Sequence, residues 1–258
     1  MIVSCKMLKF ALATVAMLLV GRAALEPTQL AISRFSRPQG PSLTIAIYSD
    51  LHLAKGRAPL AKLADALAQS SPDFIVALGD FSEEPLTEKE LSYLKHLASI
   101  APTYGVLGNN DLDPRLQQQL ADSSITILKN QGARLQTEQS AIFLYGVEDL
   151  RGGKPSLAGI GEAGEDFVIL LSHSPEIVRK LQGERVDLIL AGHTHGGQIC
   201  LPGGYALLTH SKLGRKYSWG IFPWDDSTLL ITRGVGTSTL PVRLFCLPEL
   251  VILQLGAR

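Results

Sequence analysis

Residues 43–52 read LTIAIYSDLH, an apolar run that breaks into Asp50-Leu51-His52. A short continuous apolar stretch ending on polar residues reads as a strand buried on both faces, the kind found in parallel sheets. The same event recurs along the chain. Phe74–Leu78 runs into Gly79-Asp80, and Thr103–Leu107 into Gly108-Asn109-Asn110-Asp111. Phe167–Leu171 runs into Ser172-His173, and Leu188–Ala191 into Gly192-His193-Thr194-His195-Gly196-Gly197. Helical patterns at Leu60–Ala68, Thr87–Ile100, Pro114–Leu120 and Glu176–Leu181 alternate with these runs. That order predicts right-handed βαβ units and a partly parallel sheet. Further strands are expected at Ile142–Val147, Leu229–Thr232 and Leu250–Leu255, the last part of the chain being β-rich. No second linker is visible, so one α/β domain with two packed sheets fits better than two domains.

In open α/β sheets the ligand crevice lies beyond the carboxyl ends of the strands. Five strands therefore bring Asp50, His52, Asp80, Asn109, His173, His193 and His195 to one edge. Carboxylate, imidazole and amide oxygen suit Zn, Mn, Fe or Co, and no thiolate is among them. These groups exceed what a single ion needs and match two ions sharing a carboxylate. Two ions about 3.5–4 Å apart form the clamp used for in-line displacement at phosphorus. Each piece alone is ordinary: Asp-x-His as a cap or surface pair, Gly-Asp as a turn. The argument rests on the ordered set at strand ends. His96 falls inside an amphipathic helix and reads as a surface residue, and His210 falls in a loop of the C-terminal third.

The chain has 258 residues, with 24 Lys+Arg against 24 Asp+Glu and 46% hydrophobic residues. A chain of this size buries roughly 70–75% of its unfolded surface. The composition is too apolar for a disordered protein. Zero net charge argues against nucleic acid as the main partner, because displacing phosphate counterions needs a basic excess. Cys5, Cys200 and Cys246 form neither a disulfide framework nor a Cys-x-x-Cys zinc site.

At the N-terminus, Lys6 and Lys9 precede an apolar run from Phe10 to Gly21 that stops at Arg22. Residues 1–25 are read as a membrane anchor, with a cleaved export signal as the alternative. A buried helix is the bland alternative. Charges on the two sides balance, so orientation is left open. Residues 26–42, with three prolines, read as a linker, and 43–258 as the catalytic domain.

Taken together, the motifs resemble those of the calcineurin-like metallophosphoesterase superfamily. Its series of Asp-x-His, Gly-Asp, Gly-Asn-His-Asp, a lone His and Gly-His-x-His corresponds to Asp50-Leu51-His52, Gly79-Asp80, Gly108–Asp111, His173 and Gly192–His195. The stretches GHTHGGQICLP (192–202) and GVGTSTLPVRLFCLPE (234–249) look like the branch of YaeI/YkuE-type phosphodiesterases. Hydrolases of UDP-2,3-diacylglucosamine in lipid A synthesis are similar in motif. The resemblance implies a four-layer α/β/β/α sandwich of two mixed sheets, with two metals at the strand ends. It implies Asp50, His52 and His195 on one metal, Asn109, His173 and His193 on the other, and Asp80 between them. It also implies a metal-bridging hydroxide as nucleophile, with Asn109, Asn110, Asp111 and His193 as the catalytic group.

Asn110 stands where the family pattern has His. An amide cannot supply a proton at neutral pH. Substrates whose leaving group is already a stable anion lose least, which favours a phosphodiester or pyrophosphate link over an alkyl monoester. Asp111 is read equally as a cap of the next helix. The implied partners are a phosphodiester or nucleotide-lipid substrate and an inner membrane. A non-catalytic module of the same fold is the rival from another class. Lys212–Tyr217 reads as a basic loop at the mouth or a solvated one, Arg233 and Arg243 as anion-binding candidates, and Phe222–Trp224 as an apolar lip or core.

Overall fold

The structure, a computed structural model, describes residues 5–55, 57–137 and 141–256. The ends of the expected anchor and of the expected catalytic domain, residues 1–4 and 257–258, lie outside the described residues. In chain order the elements are α1 (Cys5–Leu25), β1 (Ala31–Arg37), β2 (Leu43–Tyr48), α2 (Leu60–Ser70), β3 (Phe74–Ala77), α3 (Glu88–Ala98) and β4 (Thr103–Gly105). Then come α4 (Pro114–Ala121), β5 (Ile125–Ile127), β6 (Gln131–Gln136), β7 (Ala141–Gly146), β8 (Phe167–Ser172) and β9 (Leu188–Ala191). The chain ends with β10 (Cys200–Leu201), β11 (Tyr205–Ala206), β12 (Gly220–Trp224), β13 (Ser227–Ile231) and β14 (Glu249–Leu255).

Two six-stranded sheets face each other. Their strand orders are β1-β14-β2-β3-β4-β5 and β12-β13-β9-β8-β7-β6, with β10-β11 a separate ribbon. The period-2 pleat divides each strand's side chains between two cores. Ile45, Ile47, Val76, Leu78, Leu144, Leu171 and Leu190 meet between the sheets. Ala46, Tyr48, Ile75 and Ala77 turn the other way, onto Leu63, Leu67, Leu94, Leu97, Leu116 and Leu120 of α2, α3 and α4. On the far face of the second sheet, Tyr145, Leu170 and Ile189 pack on Ile160, Ala163, Ile177 and Val178. The covering segments there are short 3-10 turns, Ala158–Ala163 and Pro175–Lys180. The stretch expected as a helix at Glu176–Leu181 is one of these. It is a short 3-10 segment, held by the packing of Ile177 and Val178 and by hydrogen bonds such as Ile177 N–H to the Ser174 carbonyl at 3.3 Å and Lys212 N–H to Glu176 Oε1 at 2.6 Å.

The helix starts follow local chemistry. Thr87 and Glu90 form a capping box at α3, and Asp113 caps α4 ahead of Pro114. The cap of α4 is therefore Asp113 and not Asp111.

The expected linker at 26–42 is corrected. It contains β1, which pairs in parallel with β14 from Ala31↔Glu249 to Arg37↔Leu255. As an edge strand, β1 is only half-buried on alternate residues, and its Ser and Arg positions mask the apolar signal. The prolines that signal a linker lie outside the strand.

Helix α1 is mostly exposed along its length, so the buried-helix alternative does not hold. Lys9–Thr28 is the one segment among the described residues that is long and apolar enough to cross a membrane. Its end is fastened to the domain. Arg22 pairs with the buried Glu26 at 2.5 Å and lies over the Phe245 ring at 4.2 Å. The Ala23 carbonyl accepts from the Arg243 N–H at 3.1 Å.

Candidate metal centre

The parallel strands β2, β3, β4, β8 and β9 end at one edge, and the two sheets bring their loops together there. Gly79 and Gly108 permit the contact between the β3 and β4 turns. A Cβ at Gly79 would lie 2.4 Å from the Gly108 nitrogen, and one at Gly108 would lie 2.1 Å from Asp80 Oδ1. No other residue fits that approach.

The side chains gather into two buried groups, Asp50 with His52 and His195, and Asp80 with His173 and His193. In the first, His52 Nε2 and His195 Nε2 are 3.1 Å apart, and His195 Nε2 is 3.4 Å from Asp50 Oδ1. In the second, His173 Nε2 lies 3.1 Å from His193 Nδ1 and 3.3 Å from Asp80 Oδ2. The same Asp80 oxygen is 3.6 Å from His52 Nε2, which places it between the groups.

Buried polar atoms are almost always hydrogen-bonded. Asp50 Oδ1, Asn109 Oδ1 and His193 Nε2 are buried with no hydrogen-bond partner among the described residues. Asp50 Oδ1, inside the first group, and the buried Asn109 Oδ1, on the loop that Asp111 ties to that of Asp80, are hard oxygen donors, and this donor chemistry fits a pair of divalent cations. Five of the residues hold a left-handed backbone: Asp50 (φ 55°), His52 (46°), Asp80 (53°), His193 (70°) and His195 (50°). Such strain persists where the surrounding structure over-determines it, and it clusters at functional sites.

Outer contacts orient the rings. His52 Nδ1 meets Glu83 Oε1 at 2.5 Å, and Lys55 binds that same oxygen at 2.5 Å. His173 Nδ1 donates to the Leu78 carbonyl at 2.7 Å. Asn110 donates twice to Asp80, from its backbone N–H at 2.9 Å and from Nδ2 at 2.7 Å. Asp111 is fully buried and accepts from the N–H groups of Phe81 (2.8 Å), Ser82 (3.2 Å) and Gly108 (2.8 Å). It is a staple between the two loops that carry Asp80 and Asn109.

Charge is distributed unevenly. Burial pushes the Asp80 carboxyl up, but the His173 charge and hydrogen bond outweigh it and hold Asp80 well below the usual range. The same pairing overcomes burial at His173 and raises it to about 10. Burial, with the charge of His173, lowers His193 to about 3. Burial, with His52, takes His195 well below its ordinary value. Burial also raises Asp50, and it raises Asp111 to about 7 with help from the Asp80 charge.

Several residues fall elsewhere than expected. Arg243 is fully buried, and its guanidinium is spent on the carbonyls of Arg233 (2.9 Å), Gly234 (3.1 Å) and Gly236 (2.6 Å), so it is not open to an anion. Arg233 pairs with Glu249 at 2.8 Å and lies over Trp219 at 4.5 Å. Phe222 and Trp224 are half-buried and pack on Tyr217, with ring centroids at 5.0 and 5.5 Å, against the outer core of the second sheet, while Pro223 between them is exposed. His210 and His96 are exposed. Glu83 was not among the candidates. Its signal is weak, because Ser82-Glu83-Glu84 reads as a solvated turn, and only its place three residues after Asp80 ties it to the site.

The calcineurin-like phosphoesterase family model matches residues 43–197. The chain belongs to this family. It is accordingly a metal-dependent phosphoric ester hydrolase. The phosphodiesterase YaeI of Escherichia coli (strain K12) is 30% identical over 86% of this chain and 85% of its own length. The metallophosphoesterase YkuE of Bacillus subtilis (strain 168) is 29% identical over 90% of this chain and 85% of its own. Among solved structures, TT1561 of Thermus thermophilus aligns with a TM-score of 0.54 at 12% identity, over 76% of this chain and 91% of that one. That likeness concerns the fold alone.

Proposed function

We propose that this hydrolase is a membrane-associated phosphodiesterase that cleaves a phosphodiester or pyrophosphate-linked substrate with two divalent ions. The observation that carries the reading is the Asp80 oxygen standing 3.3 and 3.6 Å from one imidazole of each group. In this reading Asp50, His52 and His195 hold one ion, Asn109, His173 and His193 hold the other, and Asp80 is shared. Bound ions would supply Lewis acidity toward the phosphoryl oxygens and a nucleophile at neutral pH.

The protein's own groups do the rest. His193 Nε2 is buried with no hydrogen-bond partner among the described residues, which leaves it free to bond a substrate oxygen that enters the site. Asn110 is committed to Asp80 and offers no proton to a leaving group. Stable anionic leaving groups are therefore favoured, in line with the phosphodiesterase name of YaeI. The exposed apolar helix α1 supports anchoring at the inner membrane, with export after cleavage of 1–25 as the alternative.

The test uses the full chain in detergent, loaded in turn with Mn, Zn, Fe or Co. A chromogenic diester should turn over faster than the matching aryl monoester, and the reverse order overturns the diester reading. Asp80→Ala should lose several kcal/mol of charge stabilisation, about three orders of magnitude in rate. Unchanged hydrolysis would remove the two-ion reading. Hydrolysis of UDP-2,3-diacylglucosamine is a narrower version that the anchor helix supports, and absence of released UMP removes it.

A further inference from the structure

Beside the metal centre lies an apolar surface that phosphoester chemistry does not use. Leu201, Tyr205, Leu207, Leu208 and Leu240 are exposed, Leu208 at 79%. They are neighbours. The β10–β11 ribbon pairs Leu201 with Tyr205. A Cβ at Gly197 would meet Ala206 at 2.5 Å and the Leu208 carbonyl at 2.8 Å, so the two leucines follow the turn that carries His195. Gln198, in the same turn, donates to the Leu240 carbonyl at 2.8 Å. The adjoining loop exposes Lys212, Arg215 and Lys216, and the Arg215 guanidinium lies over the Tyr205 ring at 5.6 Å.

The last turn of α1 reaches the same place. Ala23 is bonded to Arg243, Arg22 covers Phe245, and the Glu26 carboxylate accepts from the Cys246 N–H at 3.1 Å. All three partners sit a few residues from Leu240, and the Leu244 N–H donates to the Gln198 carbonyl at 3.0 Å. One short segment thus joins the apolar helix, the apolar tips and the His195 turn. Leucines flanked by Tyr, Lys and Arg are the composition of a membrane–water interface. There the rings and long basic stems span the boundary, and the cations meet anionic headgroups.

We propose that this face is a second membrane contact. The tips at Leu201, Tyr205, Leu207, Leu208 and Leu240 enter the headgroup boundary of an anionic bilayer that holds α1, and the mouth of the metal centre opens onto that surface. The proposal rests on the anchoring and phosphodiesterase readings above, and it narrows the substrate to amphiphilic phosphoesters whose phosphate lies at headgroup depth.

The test is a depth measurement on the full chain in phosphatidylethanolamine–phosphatidylglycerol vesicles, in a Cys5→Ser background. Cys200 and Cys246 are buried and escape labelling. An environment-sensitive fluorophore is placed through Leu208→Cys, or through Ser99→Cys as the control. Ser99 is exposed after α3, at the edge of the sheet where β4 begins. Lipids carrying a headgroup-level nitroxide should quench the label at 208 severalfold more than that at 99. Equal quenching at the two positions overturns the proposal while leaving the anchor and the phosphodiesterase reading intact. Failure of the protein to float with the vesicles overturns the anchor reading and this one together. A double variant, Leu207→Asp with Leu208→Asp, should lower hydrolysis of a bilayer-dispersed diester about tenfold relative to a soluble one. An unchanged ratio overturns the narrowed substrate class.

Discussion

The two buried Asp–His groups of the candidate metal centre differ in how they manage charge. In the Asp80 group, carboxylate and imidazole answer each other: Asp80 is held low and His173 is raised to about 10. That group is a closed ion pair, further bound by two bonds from Asn110. The Asp50 group has no such closure. Asp50 is raised by burial, its Oδ1 accepts no hydrogen bond from the described residues although His195 Nε2 stands 3.4 Å away, and His195 is driven toward its neutral form. Outside contacts steady this group: Asp50 Oδ2 accepts from Ser49 Oγ and from the His193 N–H at 3.1 Å, and Glu83 is the carboxylate held against His52. One group is therefore balanced within itself through a proton, and the other leans on contacts from outside it, the Glu83 carboxylate among them.

Breaking that outer support gives the largest expected difference between the groups. Glu83→Gln keeps the shape and removes the charge behind His52. Outer partners of metal-bound histidines are worth about 10–100-fold in metal affinity. Titration with a metal-chelator competitor should show one of two sites weakened by about that factor, with the other unchanged. Equal weakening of both would mean that the groups are not separable.

Asn110→His addresses the Asp80 group. It removes one of the two bonds to the carboxylate and places an imidazole at position 110. Positioned acid–base groups contribute typically about 10²–10⁴-fold, and a gain of about tenfold on an alkyl monoester is expected here because the surrounding loop is fitted to the amide. The ratio of monoester to diester kcat/KM is the readout, and an unchanged ratio would disconnect position 110 from the leaving group.

The smallest effect is a proton count. His173 keeps its proton up to about 10 in the metal-free protein, so loading at pH 7–8 must displace about one proton from the Asp80 group. Calorimetry in buffers of different ionisation enthalpy measures it. The sign for stability follows from the raised value. The contribution of His173 is fully present below 6.5 and is lost as pH rises toward about 10, so the metal-free protein should soften in that window. A thermal midpoint that rose across it would contradict the ion pair.

The gathering of these side chains was legible in the sequence because they follow apolar runs that read as buried strands. Asp50, Asp80, His173, His193 and His195 announce themselves by interrupting Leu-, Ile- and Val-rich segments. The rest was hidden for definite reasons. Strand β1 is an edge with alternating Ser and Arg, and β6, Gln131–Gln136, is another edge of mixed polarity. Glu83 and Arg243 have the chemistry of surface residues, and only tertiary packing draws one against His52 and encloses the other. Asp111 looks like a helix cap from its position, yet the backbone N–H groups it serves belong to the turns after β3 and β4.

The left-handed backbone at Asp50, His52, Asp80, His193 and His195 constrains how this centre can be redesigned. Each such residue costs about 1–2 kcal/mol relative to ordinary helical or extended geometry, least for Asp and Asn. Replacing a histidine there by valine, isoleucine or threonine would be opposed by torsional sterics before any question of coordination arose. Attempts to retune ion preference at these positions have a short practical alphabet, with aspartate and asparagine first, whatever the inorganic chemistry would allow.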